Sequence, residues 1–399
     1  MNIFNLKFVL LVIVLLLSSS VVSAEVRAVW VRPLINADVE TRRDPIKGTD
    51  YIRKDVERIA KAGLNTIYLE VLWDSYSIYP SRFVPQRPLS ISYGVARKDA
   101  VGQTETWDPL RTYINEAKKL GIGVHAWLHV FHQWSTNLGA IEKSPVFSQY
   151  PEWAALDVKG SPLVVSEAEG VNREIFKVFM SPSNPMVRKW LRQVVFELTD
   201  VYPELGGIQW DYIRYPLQYT EAPFDYNPLT LESFKKETGI DARAINQKGN
   251  TKEWEIWQNW KTRQVTEVVK DLGELVRTRR PKWEISAAVF PAIEENLRLK
   301  QQDWMTWSEK GYVDALLPML YSTNFSKVES WAKEFRRDVS KNTRIYPALF
   351  IGHFYKKDDG SLRTEYLNIQ SQFRFDGYGL FASQSLTDDL IKKLSERNK

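Results

Sequence analysis

The stretch GGIQWDYIRYP, residues 206–216, reads as a short strand that ends in chemistry. Ile208 and Trp210 alternate with Gln209 and Asp211, so one face is apolar and the other carries an amide and a carboxyl group. In a parallel barrel the apolar face turns toward the surrounding helices and the alternate side chains point inside. Arg214 and Pro216 follow at once, which leaves Asp211 at the strand's C-terminal end.

Working outward, the same kind of strand recurs: VRAVWVRP (26–33), NTIYLEVLW (65–73), GVHAWLHVF (123–131), WEISAAVF (283–290), VDALLPMLY (313–321), RIYPALFI (344–351) and GYGLFAS (377–383). Helical patterns such as DPLRTYINEAKKLG and NPMVRKWLRQVVFELTD alternate with them, opened by Asp, Asn or Thr and often closed by Gly. Strand and helix repeated eight times predict an α/β fold of the (β/α)8 class, the TIM barrel, over residues 25–399. Three strand-to-helix connections, at about 74–107, 132–185 and 213–250 after strands 2, 3 and 4, are long. They fall on the face where such barrels keep their active sites. Pro318 lacks a ladder donor, so a bulge is expected in the sixth strand.

The alternation applied to neighbouring strands brings Glu70 and His129 inward beside Asp211. A second carboxyl group is also available on the rim, where Glu294 follows the fifth strand. Two carboxyl groups across a cleft are what glycosidic hydrolysis needs: one protonates the leaving oxygen, the other attacks or activates water. Arg214 and Tyr212 are candidates to tune Asp211, and a plain Asp211–Arg214 salt bridge is the structural alternative. Aromatic residues make up 13% of the chain, with 15 tryptophans. Trp73, Trp107, Trp134 and Trp153 lie in or beside the long loops, and Tyr321 ends the sixth strand; all five are expected to bind sugar. His125, His129 and His132 are close in sequence, but residues four apart on a strand are ~13 Å apart, too far to share an ion unless the strand breaks. No HExxH, phosphate loop or GxSxG elbow occurs, so neither metal nor cofactor is expected.

Residues 1–24, MNIFNLKFVLLVIVLLLSSSVVSA, have one cation, an apolar run and a small-residue exit, the pattern of a secretory signal cleaved after Ala24. The run is too short for a lasting membrane span, and no cysteine is available for a disulfide or lipid anchor. An exported, periplasmic or secreted protein is expected. The net charge of +5 is compatible with an anionic partner but contains no basic block that would suggest nucleic acid; oligomeric state stays open.

The motifs RAVWVRP, AGLNTIYLEVLWDSYSIYPS, WDPLRTYINEAKKLGIGVHAWLH, PEW, GGIQWDYIRYP, SAAVFP and QDWMTWSEKGYVDALLPMLY, in this order, resemble the family 10 glycosyl hydrolase-like proteins, exported bacterial barrels. The resemblance implies a glycoside hydrolase acting on a cell-envelope or extracellular polysaccharide, with peptidoglycan glycan strands a leading candidate. Asp211 matches the family's strand-four aspartate and is expected as nucleophile or base, with Glu70 or Glu294 as proton donor. A non-catalytic carbohydrate-binding barrel and a metal-dependent sugar deacetylase are the alternatives.

Overall fold

The structure, a computed structural model, describes residues 25–87, 107–163, 176–216, 223–246, 251–355 and 360–398. The expected signal segment, 1–24, lies outside them. The barrel strands are β1 Val26–Val31, β2 Thr66–Trp73, β3 Gly123–His129, β4 Gly207–Asp211, β5 Glu284–Val289, β6 Ala315–Pro318, β7 in two pieces, Arg344–Ile345 and Ala348–Phe350, and β8 Gly377–Phe381. Their helices are α1 Pro45–Lys61, α2 Pro109–Lys119, α3 Pro185–Val201, α4 Lys252–Arg279, α5 Trp304–Glu309, α6 Phe325–Asp338, α7 Thr364–Gln372 and α8 Asp388–Arg397. Three of these start from an acid or amide followed by proline: Asp44, Asp108 and Asn184 each cap a backbone N–H while the proline, which has none to satisfy, occupies the first turn.

All pairs among the barrel strands are parallel, and β8 returns to β1. Closure depends on β7. Its first piece pairs with β6 and its second with β8, so the two ends of the sheet path belong to one extended segment. Pro347 sits between the pieces, its carbonyl accepting from Gly379 N at 3.0 Å while Tyr346 N reaches Leu316 O at 3.0 Å. The hand-over falls where proline has no N–H to give. Pro318 ends β6, and Met319 N resumes the ladder on Val289 O at 2.8 Å.

Large inward side chains, Trp30, Tyr68, Trp127 and Tyr346, fill the barrel, while the opposite strand faces pack on the helices. Gly379 makes room for this packing: a Cβ there would lie 2.5 Å from the Trp30 ring. At the N-terminal base, Asn65 Nδ2 donates to Glu25 O at 2.9 Å and Asn398 Nδ2, just past α8, donates to Ala62 O at 3.0 Å.

Insertions build up the opposite rim. After β2 the chain reverses through Asp74 and Ser75, both at positive φ, and Tyr76–Ser77 pairs back on Leu72–Trp73. After β3, His132–Ser135 pairs antiparallel with Lys177–Phe179. The β4 insertion carries helix Pro228–Thr238, whose Phe234 packs on Trp257 and Trp260 of α4. Buried Asp225 joins the last two insertions, accepting from Leu156 N, Asn227 N and the Thr230 hydroxyl.

Candidate active site

The inward residues of β2, β3 and β4 follow the alternation of the sequence. Asp211 stands half-exposed at the end of β4. Its carboxyl group accepts from the Trp127 indole at 3.0 Å and from Tyr212 N at 2.7 Å. Trp127 comes from the neighbouring strand, so Asp211 is aimed by the barrel core and by its own turn, where Tyr212 adopts φ 48°. Two N–H donors and, among the described residues, no bridging cation make this oxygen pair an acceptor, the environment a base or nucleophile needs.

The Asp211–Arg214 salt bridge is not formed. Arg214 is buried with its guanidinium 5.1 Å from the Tyr212 ring and 5.2 Å from Phe290, and it donates to Tyr215 O at 3.0 Å. It therefore props Tyr212, whose hydroxyl also receives Lys177 Nζ at 2.7 Å. Tyr212 in turn packs against the rings of His129 and His132.

Glu70 is 2% exposed, beneath the rim at the end of β2. Its Oε1 lies 3.2 Å from His129 Nε2 and 3.9 Å from Arg32 Nε. Arg32 was not singled out from the sequence, although the alternation in VRAVWVRP places it inward after Trp30. Its guanidinium also sits 5.5 Å over the Phe381 ring. Glu294 lies exposed in helix Ile293–Lys300 after β5 and forms no hydrogen bond or ion pair among the described residues.

The expected tryptophan platforms require correction. Trp107 is buried on the outside of the barrel, its indole donating to Arg42 O at 3.1 Å and its ring occupying the space a Gly48 Cβ would take. Trp134 and Trp153 are likewise buried in the outer core. Trp153 already stacks on Tyr150, with 4.4 Å between ring centroids. Trp73 is half-buried, and the Arg87 guanidinium lies over its ring at 3.7 Å. The three buried rings leave no face for a pyranose. The aromatic wall comes from the other side of the mouth instead: Tyr321, Phe350 and Phe381, at the ends of β6, β7 and β8, sit within about 6 Å of one another and are half-buried. Burial and the Asp211 charge keep the Tyr321 phenol well above its ordinary pKa, so it remains an O–H group beside that carboxyl.

On the Asp211 side of the mouth, against Tyr212, lies a pairing of His129 with His132 that the strand alternation did not show, because it forms only when the chain turns back after β3. The His129 and His132 rings approach with Nδ1 atoms 3.4 Å apart. His132 Nε2 meets Trp134 O at 3.1 Å and Ser135 Oγ at 3.3 Å, and Ser135 donates to buried Asp74 at 2.9 Å. Among the described residues no three His, Asp or Glu side chains converge as a metal site.

The chain is similar to known proteins in sequence and in fold. The family model described as Glycosyl hydrolase-like 10 matches residues 25–359. Glycosyl hydrolase DigH of Escherichia coli O6:H1 is 24% identical over 349 residues, covering 82% of this chain and 70% of its own length. Glycosyl hydrolase YngK of Bacillus subtilis is 22% identical over 319 residues, covering 74% and 54%. Among solved structures, the catalytic domain of β-amylase from Paenibacillus polymyxa superposes with a TM-score of 0.56 at 12% identity, covering 92% of this chain and 95% of that one.

Proposed function

The chain belongs to the glycosyl hydrolase-like 10 family, and from that premise we propose that it is an exported glycoside hydrolase cleaving a cell-envelope or extracellular polysaccharide, peptidoglycan glycan strands foremost. One observation carries the reading: a strand-end carboxyl group, Asp211, held by two N–H donors opposite a half-exposed aromatic wall. Asp211 is the nucleophile or the base that activates water. Glu70 supplies the proton to the leaving oxygen, with Glu294 the second candidate. Tyr321, Phe350 and Phe381 take the apolar faces of the sugar rings, and Tyr212 borders the same mouth.

The test is product release from envelope polysaccharides, including peptide-free glycan strands, followed by mass spectrometry. The wild type should create new reducing ends, and Asp211→Asn should lose at least about a hundredfold in kcat. Equal release by both proteins removes Asp211 from the chemistry. The shielding of Glu70, 2% exposed, favours one other reading, a carbohydrate-binding barrel without turnover. Glycan binding that survives Asp211→Asn, with no product from either protein, would establish it.

A further inference from the structure

The proposed acid, Glu70, does not stand alone. From Trp134 O to Glu70 Oε1 runs a row of groups with contacts of 3.1, 3.4 and 3.2 Å. The direction of this row is forced from one end. A backbone carbonyl only accepts, so His132 must carry its proton on Nε2, facing Trp134 O. Neutral His132 then presents a lone pair at Nδ1, and His129 must donate to it from its own Nδ1. Burial, with Lys177, His129 and Arg214 nearby, pushes the His132 imidazole well below its ordinary pKa, consistent with the neutral ring.

That leaves His129 Nε2 facing Glu70 Oε1 at 3.2 Å, off the linear alignment of a full hydrogen bond. With no proton on either atom, two buried lone pairs would oppose each other; with one on each, donor would face donor. Both arrangements waste buried polar groups. We infer that Glu70 and His129 share a single proton, and that His132 is the positioning residue that fixes it between them. The catalytic use of that proton rests on the proposed function; its location does not. In the reaction it would pass to the glycosidic oxygen as the C–O bond breaks, leaving a Glu70 carboxylate beside neutral His129. With Asp211 as nucleophile, the water that completes hydrolysis gives its proton to the pair; with Asp211 as base, that proton goes to Asp211 and the pair is reprotonated from solvent.

Charged and titratable groups surround this pair on every side: Arg32 from β1, Asp74 from the turn after β2, Arg87 from the insertion that follows, Lys177 from the hairpin after β3, and Asp211, Tyr212 and Arg214 from β4 and its loop. The test therefore reads the protons directly. The chain has four histidines, so ring-nitrogen NMR of protein labelled with 15N-histidine can be assigned by single substitutions. His132 should be neutral with its proton on Nε2 from about pH 5.5 to 7.5. Carboxyl 13C spectra, with Glu70→Gln identifying the resonance, should complement the His129 signal: a protonated Nε2 with a carboxylate, or a bare Nε2 with a carboxylic acid. A bare Nε2 facing a carboxylate, protons on both, or a His132 proton on Nδ1 would overturn the inference.

His132→Phe keeps ring volume but removes the acceptor, so it should release the His129 tautomer. If the variant does not fold, the wild-type and Glu70→Gln spectra still decide. On an active enzyme, His132→Phe should lower kcat about tenfold or more and move the acid limb of its pH profile, with KM little changed. Spectra as expected without any glycan release would sink the proposed function and spare this inference; release with a reversed His132 tautomer would do the opposite.

Discussion

Asp211 and Asp74 are both aspartates at strand ends, yet their surroundings give them different tasks. Asp211 sits at the mouth, oriented by the Trp127 indole. Replacing Trp127 with Phe keeps most of the ring but removes that donor, one of two on the carboxyl group. A hydrogen bond to a charged group contributes about 1.5–3 kcal/mol. Trp127→Phe should therefore cut kcat by about ten- to a hundredfold while KM moves less, which steady-state kinetics will show. Asp74 is fully buried, and burial raises its carboxyl pKa to about 6 against the opposing charge of Arg87 and the Ser135 hydroxyl. A raised carboxyl pKa means that between about pH 4 and 6 the folded protein keeps a proton the unfolded chain has lost. That contribution is complete below about pH 4 and is lost as pH rises through about 6. Urea unfolding should show Asp74→Asn gaining on the wild type over this window, by on the order of 3 kcal/mol at pH 7. A parallel pH dependence in both proteins would contradict it.

At the scale of elements, the strands were legible because each states its own orientation. Ile208 and Trp210 against Gln209 and Asp211, or Leu69 and Val71 against Tyr68 and Glu70, fix which residues enter the barrel. The loops carry no such period, and there the aromatic residues misled. Trp107, Trp134 and Trp153 lie in long connections, but those connections fold back and bury them. Phe350 and Phe381, by contrast, end apolar runs and look like core until the closed barrel shows that a strand's last inward residue opens onto the mouth. His132 and Asp74 were equally hidden, because the reversals at Asp74–Ser75 and after His129 are not written in any alternation. Asp225 links two of the insertions through its hydrogen bonds to Leu156, Asn227 and Thr230. Asp225→Ala leaves those donors unmet and should destabilise the fold by about 2–4 kcal/mol, measured by chemical denaturation. An effect below about 0.5 kcal/mol would show that the insertions do not rely on it.

For the whole molecule, one buried cation should shape stability. Lys261 in α4 lies among Trp254, Trp257 and Tyr215, its Nζ donating to Phe224 O. Desolvation lowers its pKa to about 7, with Asp225 opposing. Between about pH 7 and 10 the unfolded chain then holds a proton that the folded one has shed, so stability rises with pH across that interval. Thermal unfolding should show Tm increasing from about pH 7 to 9 in the wild type, and Lys261→Met should flatten the rise. The base of the barrel has a different consequence. Glu25 at the start of β1 and Asn398 beyond α8 are both fastened there, on the side away from Asp211 and its aromatic wall. A tether attached at either end would hold the protein with its opening directed away from the point of attachment.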